Sequence, residues 1–328
     1  MKKTLKYHTL FSLAALLFLV TSCDYKQKGR VLKLAHGLDT DHPVHKGMVF
    51  MANRLKEISG DKLTIRIYPG GQLGNEQQCL ELLQIGSLDM TKVSSAAMES
   101  FAPKFKVLGL PYIFRDKQHY HDVFDSELGK ELLLNGEKYW LHGLCFYDAG
   151  TRCFYTKERP ILKPNDLTGM KIRVMKSNTA VEMVKAMGGS PTPISWGELY
   201  TSLQQGVVDG AENNLPSFYT SHHFEVCKYY SFDEHTAVPD VLIINTHMWN
   251  KLTQQEKEWL EQAVQESVLV QRKLWEDSEK MVLENIQKAG VEIFYPDKIP
   301  FIEKVKTVYD EYEKDEEFGD LINRIKNM

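Results

Sequence analysis

The stretch 169-GMKIRVMKS-177 decides how the rest of the chain is read. Ile172 and Val174 alternate as the inward face of a strand, and Arg173 stands between them, close to where the strand should stop. Parallel strands in α/β proteins are usually apolar on both faces, so an arginine there needs a partner. In open α/β sheets ligands sit beyond the carboxyl ends of the strands, and a guanidinium offers a planar fork matched to carboxylate or phosphate. An internal salt bridge to an acidic residue is the plainer role. A second arginine, Arg152 in 150-GTRCFYT-156, also follows a glycine after the strand-like run 144-LCFYD-148. Two arginines so placed point toward one anionic ligand.

Around this strand the pattern is strand and helix in alternation. A helix carrying Val181, Val184 and Met187 follows it, stopped by Gly188 and Gly189. The strand-like 190-SPTPI-194 comes next, and Ser195 with Glu198 reads as a capping box opening a helix through Leu203. The first part of the chain has the same scheme. The strand 31-VLKLAHG-37 leads to a helix through Val44, Met48, Met51, Leu55 and Ile58, with Gly60 as its stop. Leu63, Ile65 and Ile67 alternate as a second strand before the turn 69-PGGQLG-74; a helix from about Glu76 to Ile85 and a strand near Leu88 to Val93 follow. The two parts share L-Q-x-G-x-x-D at the same point, as 83-LQIGSLD-89 and 203-LQQGVVD-209. Strands and helices at this spacing imply βαβ units, and the repeat implies two related lobes. Past Pro239, Thr253 and Glu256 form another capping box, and helical patterning runs from Trp259 to Gly290. That is either two helices with a break near Glu276 or one long element across both lobes; 291-VEIFYPD-297 and a charged amphipathic tail close the chain.

The 328 residues suggest about two domains, and a formal net charge of -4 gives no hint of a nucleic-acid partner. Lys2, Lys3 and Lys6 precede the apolar run 10-LFSLAALLFLV-20 and the small-residue site 20-VTSC-23, which together read as a secretory signal peptide. A cysteine at the cleavage point resembles the bacterial lipobox, in which Cys23 is lipidated and becomes the N-terminus; an incidental cysteine at a plain cleavage site is the alternative. The polar 24-DYKQKGR-30 would then be a tether. Cys79, Cys145, Cys153 and Cys227 form no C-x-x-C pair, so a zinc or thioredoxin-type site is unsupported and buried free thiols are expected.

Other residues with chemistry are weighed against plainer roles. In 209-DGAENNLPSF-218, Glu212, Asn213 and Asn214 fall just after a strand; amides suit sugar hydroxyls, but Asn and Pro also mark turns. Trp196 at a first helical turn is either core or an aromatic face for a sugar ring. The histidines of 36-HGLDTDHPVH-45, like His222 and His223, complete no metal set and read as loop and helix-start structure. No G-x-S-x-G, H-E-x-x-H, P-loop or G-x-G-x-x-G occurs.

Several motifs in order resemble the substrate-binding subunits of tripartite ATP-independent periplasmic (TRAP) transporters: 68-YPGGQLGNE-76, 109-GLPYIF-114, 150-GTRCFYT-156, 169-GMKIRV-174 and 188-GGSPTPISWGELYTSLQQGVVDGAEN-213. The segments 204-QQGVVDGAENN-214, 229-YYSFDEH-235 and 239-PDVLI-243 are similar to members that bind sugar acids such as uronates. The resemblance implies an α/β two-lobed periplasmic binding protein fold of type II-like class, each lobe a mixed sheet flanked by helices, with a long C-terminal helix bridging both. With the signal peptide expected at 1–22 and the lipidated tether at 23–30, the first lobe is expected at 31–150 plus about 239–278 and the second at 151–238 plus about 279–328. The resemblance implies a carboxylate ligand paired with Arg173, assisted by Arg152. Asn213 would bond the carboxylate or a neighbouring hydroxyl and Trp196 would cover the ligand. Glu76, Lys92 and Ser94 would meet distal hydroxyls, with His36 and Asn214 as further candidates. Ser94 replaces an acidic residue of sialic-acid-binding members, which suits a smaller ligand. No metal, cofactor or catalysis is implied; the partners are the two TRAP membrane subunits, and the receptor is expected to be a monomer. An exported enzyme using Glu76 or Glu212 as acid/base groups, and a ligand-sensing lipoprotein, are the alternatives.

Overall fold

A computed structural model describes residues 29–328. The expected signal peptide, Cys23 and most of the tether lie outside the described residues. Among the described residues eleven strands, β1–β11 in chain order, form two mixed sheets: β2-β1-β3-β10-β4 and β11-β9-β5-β8-β6-β7. The first uses Arg30–Ala35 (β1), Leu63–Tyr68 (β2), Met90–Ser94 (β3), Leu141–Tyr147 (β4) and Asp240–Asn245 (β10). The second uses Arg152–Thr156 (β5), Lys171–Val174 (β6), Ser190–Pro193 (β7), Gly210–Asn213 (β8), Tyr229–Thr236 (β9) and Glu292–Phe294 (β11). Because β10 returns to the first sheet after five strands of the second, the chain crosses between lobes more than once.

The shared L-Q-x-G-x-x-D turns out to be one structural device used twice. Gly86 and Gly206 both take the left-handed conformation (φ +73° and +72°) that ends their helices without a Cβ clash. Three residues on, the Asp89 carboxylate accepts the Lys33 amide of β1 at 2.8 Å, and Asp209 accepts the Lys171 amide of β6 at 2.7 Å. In each lobe the motif thus staples the end of the second strand–helix unit to the start of the first.

The long C-terminal helix is continuous over Gln254–Lys288, 35 residues, or about 52 Å at 1.5 Å per residue. Thr253 and Glu256 form the expected reciprocal capping box. No break occurs near Glu276. Leu260, Ala263, Val264, Val268 and Trp275 pack into the first lobe's core, whereas Val282 and Ile286 join the second lobe's; one rigid rod therefore serves both. A further cross-lobe contact comes from Glu99, whose carboxylate accepts the Ser177 hydroxyl (2.8 Å), the Asn178 amide (3.0 Å) and the Thr179 hydroxyl. A first-lobe acid so caps the N-terminus of the second-lobe helix Asn178–Ala186.

Two expectations are corrected. Ser195 makes no side-chain bond to the helix Trp196–Gln204; the turn closes instead through the Glu198 amide on the Ser195 carbonyl, and Ser195 lines the cleft between lobes. The segment 316–326 was expected with the second lobe, yet its helix returns to the first. Leu321, Ile322 and Ile325 bury their apolar stripe, Arg324 pairs with Glu131 at 2.7 Å, and His119 donates to the Ile325 carbonyl at 2.8 Å. No helix of the described residues is long and apolar enough to cross a membrane.

Candidate functional site

The cleft between lobes holds a cavity of about 350 Å³ bordered by the 70–78 turn and helix start, Arg173, Met175 and the 194–198 helix start. A narrower chamber of about 60 Å³ continues inward past Glu76, Lys92, Ser94, Arg152, Arg173, Asn213 and Asn214. Eight of the nine expected binding residues therefore line one connected space, brought there from both sheets.

Arg173 is the residue left unsatisfied. It is buried in β6 between Ile172 and Val174. Its Nε donates to the Ile194 carbonyl at 2.9 Å, while its Nη1 is buried with no partner. The register explains the vacancy, because Arg173 stands opposite Thr192 of β7 and Ala211 of β8, neither of them acidic. Burial pulls its pKa below the ordinary arginine value, the mark of a charge that would gain from an anion. The Trp196 ring lies 5.8 Å from Cζ, holding the guanidinium from one side.

Arg152 corrects the expectation of an arginine free to assist. Its Nε and Nη2 grip Glu212 at 2.5 and 2.9 Å, and its Nη1 donates to Asn213 Oδ1 at 2.6 Å. The network continues from Glu212 to His235 (3.4 Å) and from His235 to Asp233 (2.7 Å). Burial alone would raise the Glu212 carboxyl, but Arg152 and His235 hold it at about 2. With both carboxylate oxygens held by Arg152 and its proton so weakly held, Glu212 is a structural partner of Arg152 and not a free general acid.

The plainer reading also claims part of the first-lobe set. Lys92 pairs with Asp240 at 3.0 Å and lies 3.9 Å from Glu76, leaving donor capacity toward the chamber. Glu76 starts the helix Glu76–Gln84 and accepts the Ser94 amide at 2.8 Å through Oε1; Oε2 has no partner among the described residues. Ser94 caps the short helix Ser95–Met98 through the Ala96 amide. Asn214 caps Leu215–Thr220 through the Ser217 amide, and Asn213 holds both Arg152 and the Asn214 amide on Oδ1, which directs its NH2 away from them.

His36 is the expected binder that the structure does not bring to the cavity. Its Nδ1 accepts the Leu38 amide at 3.1 Å and its Nε2 meets His45 at 3.0 Å, so both ring nitrogens serve the loop. His42 caps its helix and reaches Ser217 across the lobes at 3.1 Å; no metal-holding cluster occurs among the described residues. The four cysteines there are buried and free. Sequence reasoning missed Asp240 and Met175. Asp240 opens the quoted 239-PDVLI-243, and its pairing with Lys92 follows only from the antiparallel register of β10 on β3.

The family model for bacterial extracellular solute-binding proteins, family 7, matches residues 34–315. The chain belongs to this family of TRAP solute receptors. The uncharacterized protein YiiZ of Salmonella typhimurium is 37% identical over 316 residues, covering 96% of each chain. A TRAP periplasmic solute-binding protein from Bradyrhizobium, solved with α/β-D-galacturonate, superposes with a TM-score of 0.89 at 38% identity, covering 91% of this chain and all (100%) of that one. Another from Anaerococcus prevotii, solved with D-glucuronate, gives 0.88 at 34% identity over 90% and 97% of the two chains. As a family member, this TRAP receptor is a periplasmic binding protein and not an enzyme.

Proposed function

We propose that this receptor captures a uronate such as glucuronate or galacturonate, with the carboxylate on Arg173 and the sugar hydroxyls on Glu76, Lys92 and Asn213. The observation that carries the reading is the buried, unpartnered Nη1 of Arg173 at the wall of a cavity between two lobes. The uronates bound in the Bradyrhizobium and Anaerococcus proteins support it. Micromolar capture requires about -8 kcal/mol. Hydrogen bonds to charged groups contribute roughly 1.5–3 kcal/mol each, so the available donors and acceptors suffice. Lobe closure would bury the ligand and present a changed surface to the two membrane subunits.

The test is a thermal-shift and calorimetric panel of uronates on wild type and Arg173→Ala. The variant should stay folded and lose about 2–5 kcal/mol of binding, the cost of leaving a desolvated carboxylate unpaired. Equal ligand shifts in both proteins would sink the assignment. In the same reading the receptor is a monomer tethered through lipidated Cys23. Mass spectrometry of the exported N-terminus and the release of a Cys23→Ala variant from membranes check the tether.

A further inference from the structure

The cavity does not end at the Trp196 indole. A larger hollow of about 840 Å³ opens on its solvent side, and the two spaces share Gly37, Gly70, Trp196 and Gly197 as walls. The neck between them is unobstructed at its glycines: a Cβ added at Gly37, Gly70 or Gly197 would meet no atom within 4 Å. The inner cavity, at about 350 Å³, is near the small end of ligand pockets, so the outer space is room that a single sugar ring there leaves unused.

The walls of the outer hollow have their own chemistry. Trp196 and Tyr200 are four residues apart on one helix, which places their rings on the same face, and both border the hollow. The Tyr200 hydroxyl donates to Glu225 at 2.8 Å, steadying the ring. Across from them stand Asp39 and Asp41. Aromatic faces suit the C–H side of a pyranose, and carboxylates accept its hydroxyls. Among the described residues no lysine or arginine lines the space. A second acidic sugar would meet the carboxylates of Asp39, Asp41 and Glu225, the last of them 3.2 Å from the His222 ring, and no lysine or arginine.

We propose that the receptor also binds aldobiuronic acids, disaccharides in which the uronate occupies the Arg173 cavity and a neutral sugar stands on Tyr200 in the outer hollow. This rests on the uronate reading above. The experiment is calorimetry of the exported protein with D-glucuronate, with an aldobiuronate of glucuronate and xylose, and with digalacturonate, on wild type and Tyr200→Ala. The aldobiuronate should bind within about threefold of the free uronate, and digalacturonate at least about tenfold more weakly than the aldobiuronate. Tyr200→Ala should weaken the aldobiuronate about tenfold and leave free uronate affinity unchanged, which also shows the variant to be folded. Binding of free uronate without the aldobiuronate overturns this proposal alone, as does a Tyr200→Ala loss equal for both ligands. Digalacturonate binding as tightly as the aldobiuronate overturns the neutral-sugar assignment. A protein that binds no uronate of either length overturns the uronate reading itself.

Discussion

Raising the pH should destabilise this protein through one identifiable residue, His235. Its ring is fully buried, with Nδ1 2.7 Å from Asp233 and Nε2 3.4 Å from Glu212. Burial opposes the imidazolium, but the two carboxylates outweigh it and hold the pKa at about 9. An unfolded histidine titrates near 6.5. The native state therefore binds this proton more tightly, so the contribution is whole below 6.5 and is lost as pH rises through 9. The difference corresponds to about 3 kcal/mol. Glu212 supplies the opposite limb: with a carboxyl held at about 2, its contribution is present above 4.5 and is lost as pH falls toward 2. The assay is urea unfolding followed by tryptophan fluorescence at pH 5.5 and pH 9.5, without ligand, for wild type and His235→Gln. Buried thiols such as Cys227, raised to about 12, add an alkaline loss of the same sign to both proteins, so the difference between them is the quantity read. Wild type should lose about 3 kcal/mol more than the variant across that interval. Equal losses would refute the reasoning.

The two arginines should respond oppositely to removal. Arg152→Met leaves Glu212 buried beside His235 without its main partner and should destabilise by about 3–5 kcal/mol in urea unfolding. Arg173→Met removes a desolvated charge that has no acid partner, and should be neutral or stabilising in the same assay while uronate binding is lost. Thr253→Ala removes one half of the capping box on the bridging helix and should cost about 1 kcal/mol. Glu99→Ala uncaps the second-lobe helix Asn178–Ala186 from across the lobes, a loss of about 1–2 kcal/mol. Hydrogen exchange at the Asn178 and Thr179 amides should speed up while exchange in β1 stays unchanged; uniform acceleration would show global loss of stability instead.

Much of the scaffold was legible because it follows from local periodicity and chain termination. The alternation in β6, the Gly60 stop and the Thr253–Glu256 box each act within a few residues of their cause, whereas the continuity of the last helix past Glu276 came only from the fold. The repeated L-Q-x-G-x-x-D was visible as similarity. Its meaning, an aspartate stapled to the first strand of its own lobe, needed the fold, since 56 residues separate Lys33 from Asp89. The cleft was legible only as a set of candidates.

What the chain's own order determined, then, is the kind of object: two strand–helix lobes, a long helical segment near the C-terminus, and arginines near strand ends. What only the tertiary structure decided is which arginine is available. In sequence Arg152 and Arg173 look alike, each following a glycine near the edge of a strand. Pairing of β5 with β8 sets Cys153 against Asn213 and Phe154 against Glu212, so a carboxylate and an amide close on Arg152. Pairing of β6 with β7 and β8 sets Arg173 against a threonine and an alanine. Strand register is a long-range choice made by packing two faces at once. It alone separates a guanidinium satisfied within the fold from one left facing the cleft.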